Sequence, residues 1–262
     1  MNILLVGDVV GKPGRQAVRD LLPGVISREG VDFTIINGEN AAGGVGLTPD
    51  LAEELLSYGA DVITTGNHVW DKRELVPFLE KDDRVVRPLN YPPGTPGRGA
   101  VVAASRGGVP VAVISLAGRV FSIAHLDCPF RAADAELAVL RRQVRVIVVD
   151  IHAEATSEKV AMGLHLDGRV TAVIGTHTHV QTADARVLRG GTAYMTDVGM
   201  TGPQESVIGI RHDLVLQRFL TQLPVRFEVA TGDVRFMACV IAVSESSGRA
   251  TAIRALNLAC AA

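Results

Sequence analysis

Cysteine and aromatic side chains are scarce in this chain, charge of the two signs is nearly balanced, and no apolar run is long enough to cross a membrane. The three cysteines, Cys128, Cys239 and Cys260, lie far apart, which excludes both a disulfide framework and a paired-cysteine zinc site. They read as reduced thiols. Cys128, beside Pro129, has no base in a neighbouring motif, so a nucleophilic role is not expected of it. Lys and Arg number 26 against 28 Asp and Glu, with no long block of one sign, so no stable nucleic-acid complex is expected from the overall field. The roughly 18-residue apolar stretch of a membrane span is missing. The opening MNILLVGD lacks the basic region, apolar segment and cleavage site of an export signal, and a cytoplasmic location follows as the expectation.

What is present is ample core material. Apolar residues make up 47% of the 262 and charged residues 21%, a globular balance that one sizeable domain spanning 1–262 accommodates. Short β-rich runs alternate with helix-like segments, as in a layered α/β fold. Strands are expected at Ile3 to Val6, Phe33 to Ile36 and Val62 to Thr64, with helices over Gly14 to Arg28 and Pro49 to Tyr58. Thr48 followed by Pro49 has the form of an N-cap and first helical position. PLNYPPGTPGRG, Pro88 to Gly99, can only be a loop. Val101 to Ala104 and Val109 to Leu116 flank SRGG as a hairpin-like pair. A helix at Ala132 to Arg142, a strand at Val146 to Val149, a helix at Ser157 to Leu166 and strands at Val170 to Ile174 and Ala193 to Thr196 come next. Phe227 to Ala230, Arg235 to Val243 and Ala250 to Leu258 read as closing antiparallel strands.

The polar residues cluster where the expected strands end, the rim at which open α/β sheets bind ligands. Asp8 follows the first strand, Glu39 and Asn40 the second, and Asn67 and His68 the third. His152 follows the Val146 run, and His177 and His179 the Val170 run. A lone Asp, Asn or His after a strand is ordinarily a turn former or helix cap. Recurrence at five strand ends is not accounted for that way. Carboxylate, amide and imidazole donors suit a hard-to-borderline divalent cation, and their number exceeds one ordinary site. Two cations roughly 3.5 to 4 Å apart, with Glu39 as the bridge, would use them all and suit hydrolysis of a phosphate ester. His177 and His179 in GTHTH carry the strongest local signal, since alternate residues of an extended segment point the same way.

His125, His165 and His212 have no companion donors and read as surface or hydrogen-bonded residues, although the loop of His125 could approach the rim. GDVVGKPG is one residue short of a phosphate-binding P-loop and places Pro13 where a Ser or Thr is needed, which argues against nucleoside triphosphates. AAGGVG, Ala41 to Gly46, reads as a connector, with backbone amides that could face a phosphate as the alternative.

The ordered blocks GDVVG, NGEN, GNHVWD, DIHAE and GTHTHVQT, with TDVGMTGP after them, resemble the calcineurin-like metallophosphoesterases and more closely their YmdB-like branch of small bacterial phosphodiesterases. The resemblance implies a four-layer αββα sandwich, two sheets face to face with helices outside. It implies two metal ions per chain, iron or manganese being expected although the donors also admit zinc, held by Asp8, Glu39, Asn40, Asn67, His152, His177 and His179. It implies in-line attack of a metal-bound hydroxide on a phosphodiester, particularly a 2′,3′- or 3′,5′-cyclic nucleotide, with His68 as general acid. Departures from the broad superfamily are visible. Val10 stands where a histidine ligand is usual, Glu39 replaces an aspartate bridge, and Val69 replaces the acidic residue that would orient His68.

Two other functions stay open at the level of sequence: a phosphomonoesterase or nucleotidase on the same scaffold, and a metal-stabilised regulatory or RNA-interaction protein. His68 beside Asn67 favours catalysis, because a structural site needs no further titratable group. Nothing marks a base pocket, since aromatic residues are only 4% of the chain and Trp70, Tyr91, Phe121 and Phe130 are equally eligible. Homo-oligomerisation is a reasonable prior.

Overall fold

The computed structural model describes residues 1–122 and 124–260. The first half comprises β1 (Asn2–Val6), β2 (Asp8–Val9), α1 (Gly11–Glu29), β3 (Val31–Asn37), α2 (Pro49–Ser57), β4 (Val62–Thr64), α3 (Leu75–Leu79) and β5 (Val85–Val86). It continues with β6 (Ala100–Ala104), β7 (Pro110–Ala117), α4 (Pro129–Leu140), β8 (Val146–His152), α5 (Thr156–Leu166) and β9 (Ala172–Thr176). The chain closes with β10 (Arg186–Val187), β11 (Ala193–Met195), β12 (Met200–Pro203), α6 (His212–Thr221), β13 (Val234–Val243) and β14 (Ala250–Ala259).

These strands form two sheets. In the first, β14, β13, β1, β3, β4 and β5 lie side by side, parallel from β1 to β5 and antiparallel on either side of β13. The short pair β2 and β12 extends the β13 edge beyond the end of β1. The second sheet runs β10, β11, β9, β8, β7, β6, with a parallel centre and antiparallel edges.

Alternation along each strand decides the layering, because successive side chains point to opposite faces. Ile3, Leu5, Phe33 and Ile35 meet Val111, Val113, Val148 and Ile174 in the core between the sheets. Leu4, Val6 and Ile63 pack outward on Val18 and Leu22 of α1 and Leu55 of α2. Ile114, Val149 and Val173 pack on Leu137 of α4 and Met162 of α5. This is the expected αββα sandwich.

Most expected elements are found with shifted ends: α1 begins at Gly11 rather than Gly14, and β8 runs through Asp150 to His152. Thr48 caps α2, its Oγ1 accepting from Leu51 N at 3.4 Å. The expected strand Phe227 to Ala230 is not formed. Only an isolated bridge, Val229 to Ile210, occurs there, because that run faces a single short loop and has no neighbouring strand to pair with. The helices α3 and α6 were not anticipated.

A buried ion pair ties helix α5 to the ends of β9 and β11. Lys159 Nζ, on α5, donates to Asp197 Oδ2 at 2.7 Å and to the carbonyl of Thr176 at 2.8 Å. Both side chains are withdrawn from water, so removing one partner strands the other charge in the interior. Lys159→Met is expected to destabilise the protein by about 3–5 kcal/mol and lower its melting temperature by roughly 10 °C, with Lys159→Met/Asp197→Asn recovering most of the loss in the same circular-dichroism melts.

Candidate functional site

The parallel strands of both sheets end at one rim, and that rim gathers the polar residues. Asp8 comes from β2, Glu39 and Asn40 from the turn after β3, Asn67 and His68 from the turn after β4, His152 from the end of β8, and His177 and His179 from the bend after β9. Each sheet therefore supplies part of one site.

At its centre, His152 Nε2 lies 2.8 Å from Glu39 Oε1, 2.9 Å from Asn67 Oδ1 and 2.9 Å from His177 Nδ1. One imidazole N–H cannot satisfy three acceptors at once. Asp8 stands at the edge of this group: Oδ2 accepts from His177 N at 3.2 Å, and Oδ1 is 3.8 Å from His152 Nδ1 and 3.9 Å from His179 Nε2. Asp8 Oδ1 and Asn40 Oδ1 are buried without a hydrogen-bond partner, an arrangement that costs free energy unless something else occupies their lone pairs. Glu39, His152 and His177 offer ligand atoms that all lie within 4.8 Å of one another. Convergent lone pairs of O and N type fit a divalent cation.

The electrostatics point the same way. Burial disfavours a charged His152, but Glu39 against its ring more than compensates and carries its pKa up to about 9. Burial likewise opposes ionisation of Glu39, yet His152 holds it down to about 2. His177 is pushed down to about 3, first by burial and then by the neighbouring His152. Without a cation, a proton on His152 supplies the positive charge that this cluster of donors demands.

Each imidazole is fixed by its outer nitrogen, leaving the other turned inward, as metal-ligating histidines are. His152 Nδ1 donates to Thr176 Oγ1 at 2.8 Å, whose hydroxyl donates in turn to Asp150 Oδ1 at 2.7 Å. His177 Nε2 faces Glu154 Oε2 at 3.2 Å. His179 Nδ1 donates to the carbonyl of Ile208 at 2.9 Å.

His177 and His179 do not lie on an extended segment as the GTHTH reading supposed. Strand β9 stops at Thr176, and both histidines have left-handed backbones, φ 94° and 65°. That conformation costs non-glycine residues about 1–3 kcal/mol. Asp197 offsets it by clamping the residue between them: its Oδ2 accepts from Thr178 N at 3.0 Å and from Thr178 Oγ1 at 2.6 Å.

His68 stands apart from the central group. Its backbone N–H donates to Glu39 Oε2 at 3.2 Å, while its ring Nδ1 meets Asp71 Oδ2 at 2.7 Å. The carboxylate expected at position 69 is thus supplied two residues later. Asn40 uses Nδ2 on the carbonyl of Gly44 at 3.0 Å, which orients its free Oδ1. Gly66 is required by close approach: a Cβ there would fall 2.2 Å from His152 Cδ2 and 2.3 Å from Glu39 Oε2.

Asp71, Asp150, Glu154, Thr176 and Asp197 are functional neighbours that sequence reasoning missed. Asp150 had a legible signal, a carboxylate inside the apolar strand VIVVDIH. Of the histidines set aside, His165 pairs with Asp134 and His212 is exposed at the start of α6. The loop of His125 does reach the rim, through Ala124 and Leu126.

The profile of the YmdB-like proteins matches residues 4–256. The chain belongs to that family. It is 49% identical over 253 residues to the 2′,3′-cyclic-nucleotide 2′-phosphodiesterase of Bacillus subtilis, covering 97% of this chain and 95% of that one. Among solved structures, a hypothetical protein from Thermus thermophilus superposes with a TM-score of 0.92 at 44% identity, over 99% of both chains. A phosphatase from Mycoplasma pneumoniae does so with a TM-score of 0.92 at 31% identity, over 99% of this chain and 93% of that one. The family is one of metal-dependent enzymes, which agrees with the donor set at the rim. No helix among the described residues is long and apolar enough to cross a membrane.

Asp8 gives this geometry a measurable signature. Burial raises its carboxyl, against the pull of His179 and His152, from 3.8 to about 6. A carboxyl raised on folding costs nothing below its unfolded pKa, and the penalty grows between 3.8 and 6 and is complete above, at about 3 kcal/mol. Asp8→Asn is therefore expected to raise the melting temperature of chelator-stripped protein by several degrees at pH 7.5 but not at pH 3.5, while shrinking the stabilisation gained on adding manganese.

Proposed function

We propose that the chain is a phosphodiesterase that opens 2′,3′-cyclic nucleotides at the bond to the 2′-oxygen, using two metal ions held at the rim. The observation that carries this reading is the convergence of Glu39, Asn67, His152 and His177 with the unpartnered oxygens of Asp8 and Asn40. Those six residues and His179 are the proposed ligands. Glu39 is the natural bridge, since Oε1 faces His152 and Oε2 faces the His68 turn. Iron or manganese fits the mixed oxygen and nitrogen donors. The whole of residues 1–262 acts as one such unit. Three free thiols agree with a cytoplasmic location.

When bound, the cations would activate water near neutral pH and neutralise charge on the phosphoryl oxygens. The chain's residues supply the rest. The outer-nitrogen contacts of His152, His177 and His179 set ring orientation, so the ligand geometry does not have to reorganise during reaction. A bond from water oxygen to phosphorus forms, the bond from phosphorus to O2′ breaks, and O2′ takes a proton to give a 3′-nucleotide. His68 is placed to give that proton: Nδ1–H donates to Asp71, which leaves Nε2 for the leaving oxygen at the partly exposed face of the site, and it is the imidazolium form, with a proton on each nitrogen, that acts as the acid.

The experiment combines metal analysis with hydrolysis of 2′,3′-cyclic AMP, bis(p-nitrophenyl) phosphate and p-nitrophenyl phosphate. Two ions per chain and preference for the diesters are expected. Hydrolysis of the monoester alone would assign a phosphatase, and less than one ion under every loading condition with no turnover would overturn the reading. His68→Ala is expected to keep its metal but lose about 10²–10⁴-fold in turnover of the cyclic nucleotide. The loss should be far smaller with p-nitrophenolate, which departs without protonation; equal losses on both substrates would remove His68 from the proton-donor role.

A further inference from the structure

Beside the donor cluster lies a cavity of about 110 Å³ whose floor is Asn67, His152 and His177 and whose walls include Tyr91, Val120 and Phe121. Phe121 is 83% exposed, on a left-handed backbone with φ 65°. Both facts run against ordinary packing. A phenyl ring gains by burial, and a bulky residue at positive φ is strained. Trp70 and Phe130, equally eligible by sequence, are placed differently. Trp70 packs edge-on against Tyr91, with ring centres 5.4 Å apart, and Phe130 lies against His165 on the outer helical layer.

The segment bearing Phe121 is held at both stems. At one stem, Gly118 N donates to the carbonyl of His152 at 2.9 Å, which ties the segment to a proposed ligand. The buried carboxylate of Glu158 then accepts from Arg119 N at 2.9 Å and Val120 N at 3.3 Å. Across the two stems, the Asn90 side chain donates to the carbonyls of Ala117 at 2.8 Å and Asp127 at 3.0 Å. These anchors are what allow the strained, exposed ring to be kept where it is.

We propose that Phe121 and Tyr91 form the nucleobase subsite of the phosphodiesterase centre, and that they receive the base by its face. The inference rests on the proposed phosphodiesterase reading for its phosphate end. An aromatic ring at the mouth, a second ring braced by Trp70 and a floor of metal-ligand donors match a planar base joined through ribose to a phosphoryl group. Base edges find little to read. The N–H groups of Arg119 and Val120 are consumed by Glu158 and the Asn90 amide by backbone carbonyls, while Ser122 Oγ already accepts from Ala124 N, so that beyond the donor cluster its O–H and the half-exposed Glu154 carboxylate are the polar side-chain groups left at the lining with Tyr91. Recognition by stacking alone tolerates every base, since each has a π-face.

The test uses manganese-loaded full-length protein with 2′,3′-cyclic AMP, 2′,3′-cyclic UMP and the base-free diester glycerol 1,2-cyclic phosphate. Phe121→Ala is expected to lower the ratio of kcat/KM for either nucleotide to that for the base-free diester by about tenfold, mostly through KM, and Phe121→Trp to restore it. Adenine and uracil substrates should differ by less than tenfold in the wild type. An unchanged ratio, or equal losses on nucleotide and base-free diester, would overturn the subsite. Calorimetric binding of 3′-AMP relative to inorganic phosphate provides a readout independent of turnover, with the same tenfold drop expected in Phe121→Ala. Failure of the wild type to hydrolyse any diester would thus count against the phosphodiesterase reading, while this binding ratio alone decides the subsite.

Discussion

A single buried carboxylate joins the two sheets beneath the rim. Asp150 of β8 accepts from Thr64 Oγ1 at 2.6 Å and Asn37 Nδ2 at 3.0 Å, both on the first sheet, and from Thr176 Oγ1 at 2.7 Å on its own. Burial pushes its pKa up, and His152 with these three donors works against that rise. A largely apolar interface is thereby pinned at one end by directional bonds, with Ser115 Oγ adding another by donating to the carbonyl of Thr65 at 2.9 Å. Hydrophobic contact alone tolerates sliding between sheets, whereas a polar knot with every partner placed fixes their register. Thr176 belongs to this knot and also orients His152, so the alignment of the sheets and the aim of the central imidazole are one constraint.

The site is rigid where it binds and strained where it turns. His177 and His179 depart from β9 through left-handed backbones, a cost met by Asp197, whose carboxylate is itself fixed by Lys159. Phe121 repeats the pattern on the neighbouring loop, with Glu158 and Asn90 as its anchors. In both places a buried side chain elsewhere in the sequence holds the turn in a conformation that local propensity disfavours.

The strands and the rim were legible because parallel strands leave a strong trace: apolar runs ending abruptly in Asp8, Glu39, Asn67 and His152 mark where backbones emerge from the core. The second layer of contacts was not. Asp150 bonds a residue 113 positions away and Lys159 one 38 away, and no local pattern encodes such pairs. His177 and His179 were found for an incorrect reason, since the spacing of two suggested a strand and the chain makes a bend. Phe227 to Ala230 failed through the reverse error, β-forming residues with no strand beside them to complete a ladder. The Asp71 partner of His68 was hidden by expecting the carboxylate at position 69, although a tight turn brings residue i+3 within reach as readily.

The division of the donors between the sheets has a bearing on how the molecule is made. Asp8, Glu39, Asn40 and Asn67 precede residue 68, whereas His152, His177 and His179 follow residue 151. During synthesis the first group leaves the ribosome with only oxygen donors, a poor match for a borderline cation, and the imidazoles arrive after more than half the chain has been made. If these residues are the ligands, tight capture of metal would await the docking of β8 and β9 on the first sheet. On the proposed ligand assignment, bound metal would thus report that the two sheets have docked, and a chain arrested or misassembled before β8 would carry about half a site, with little affinity and no hydrolytic danger to the nucleotides around it.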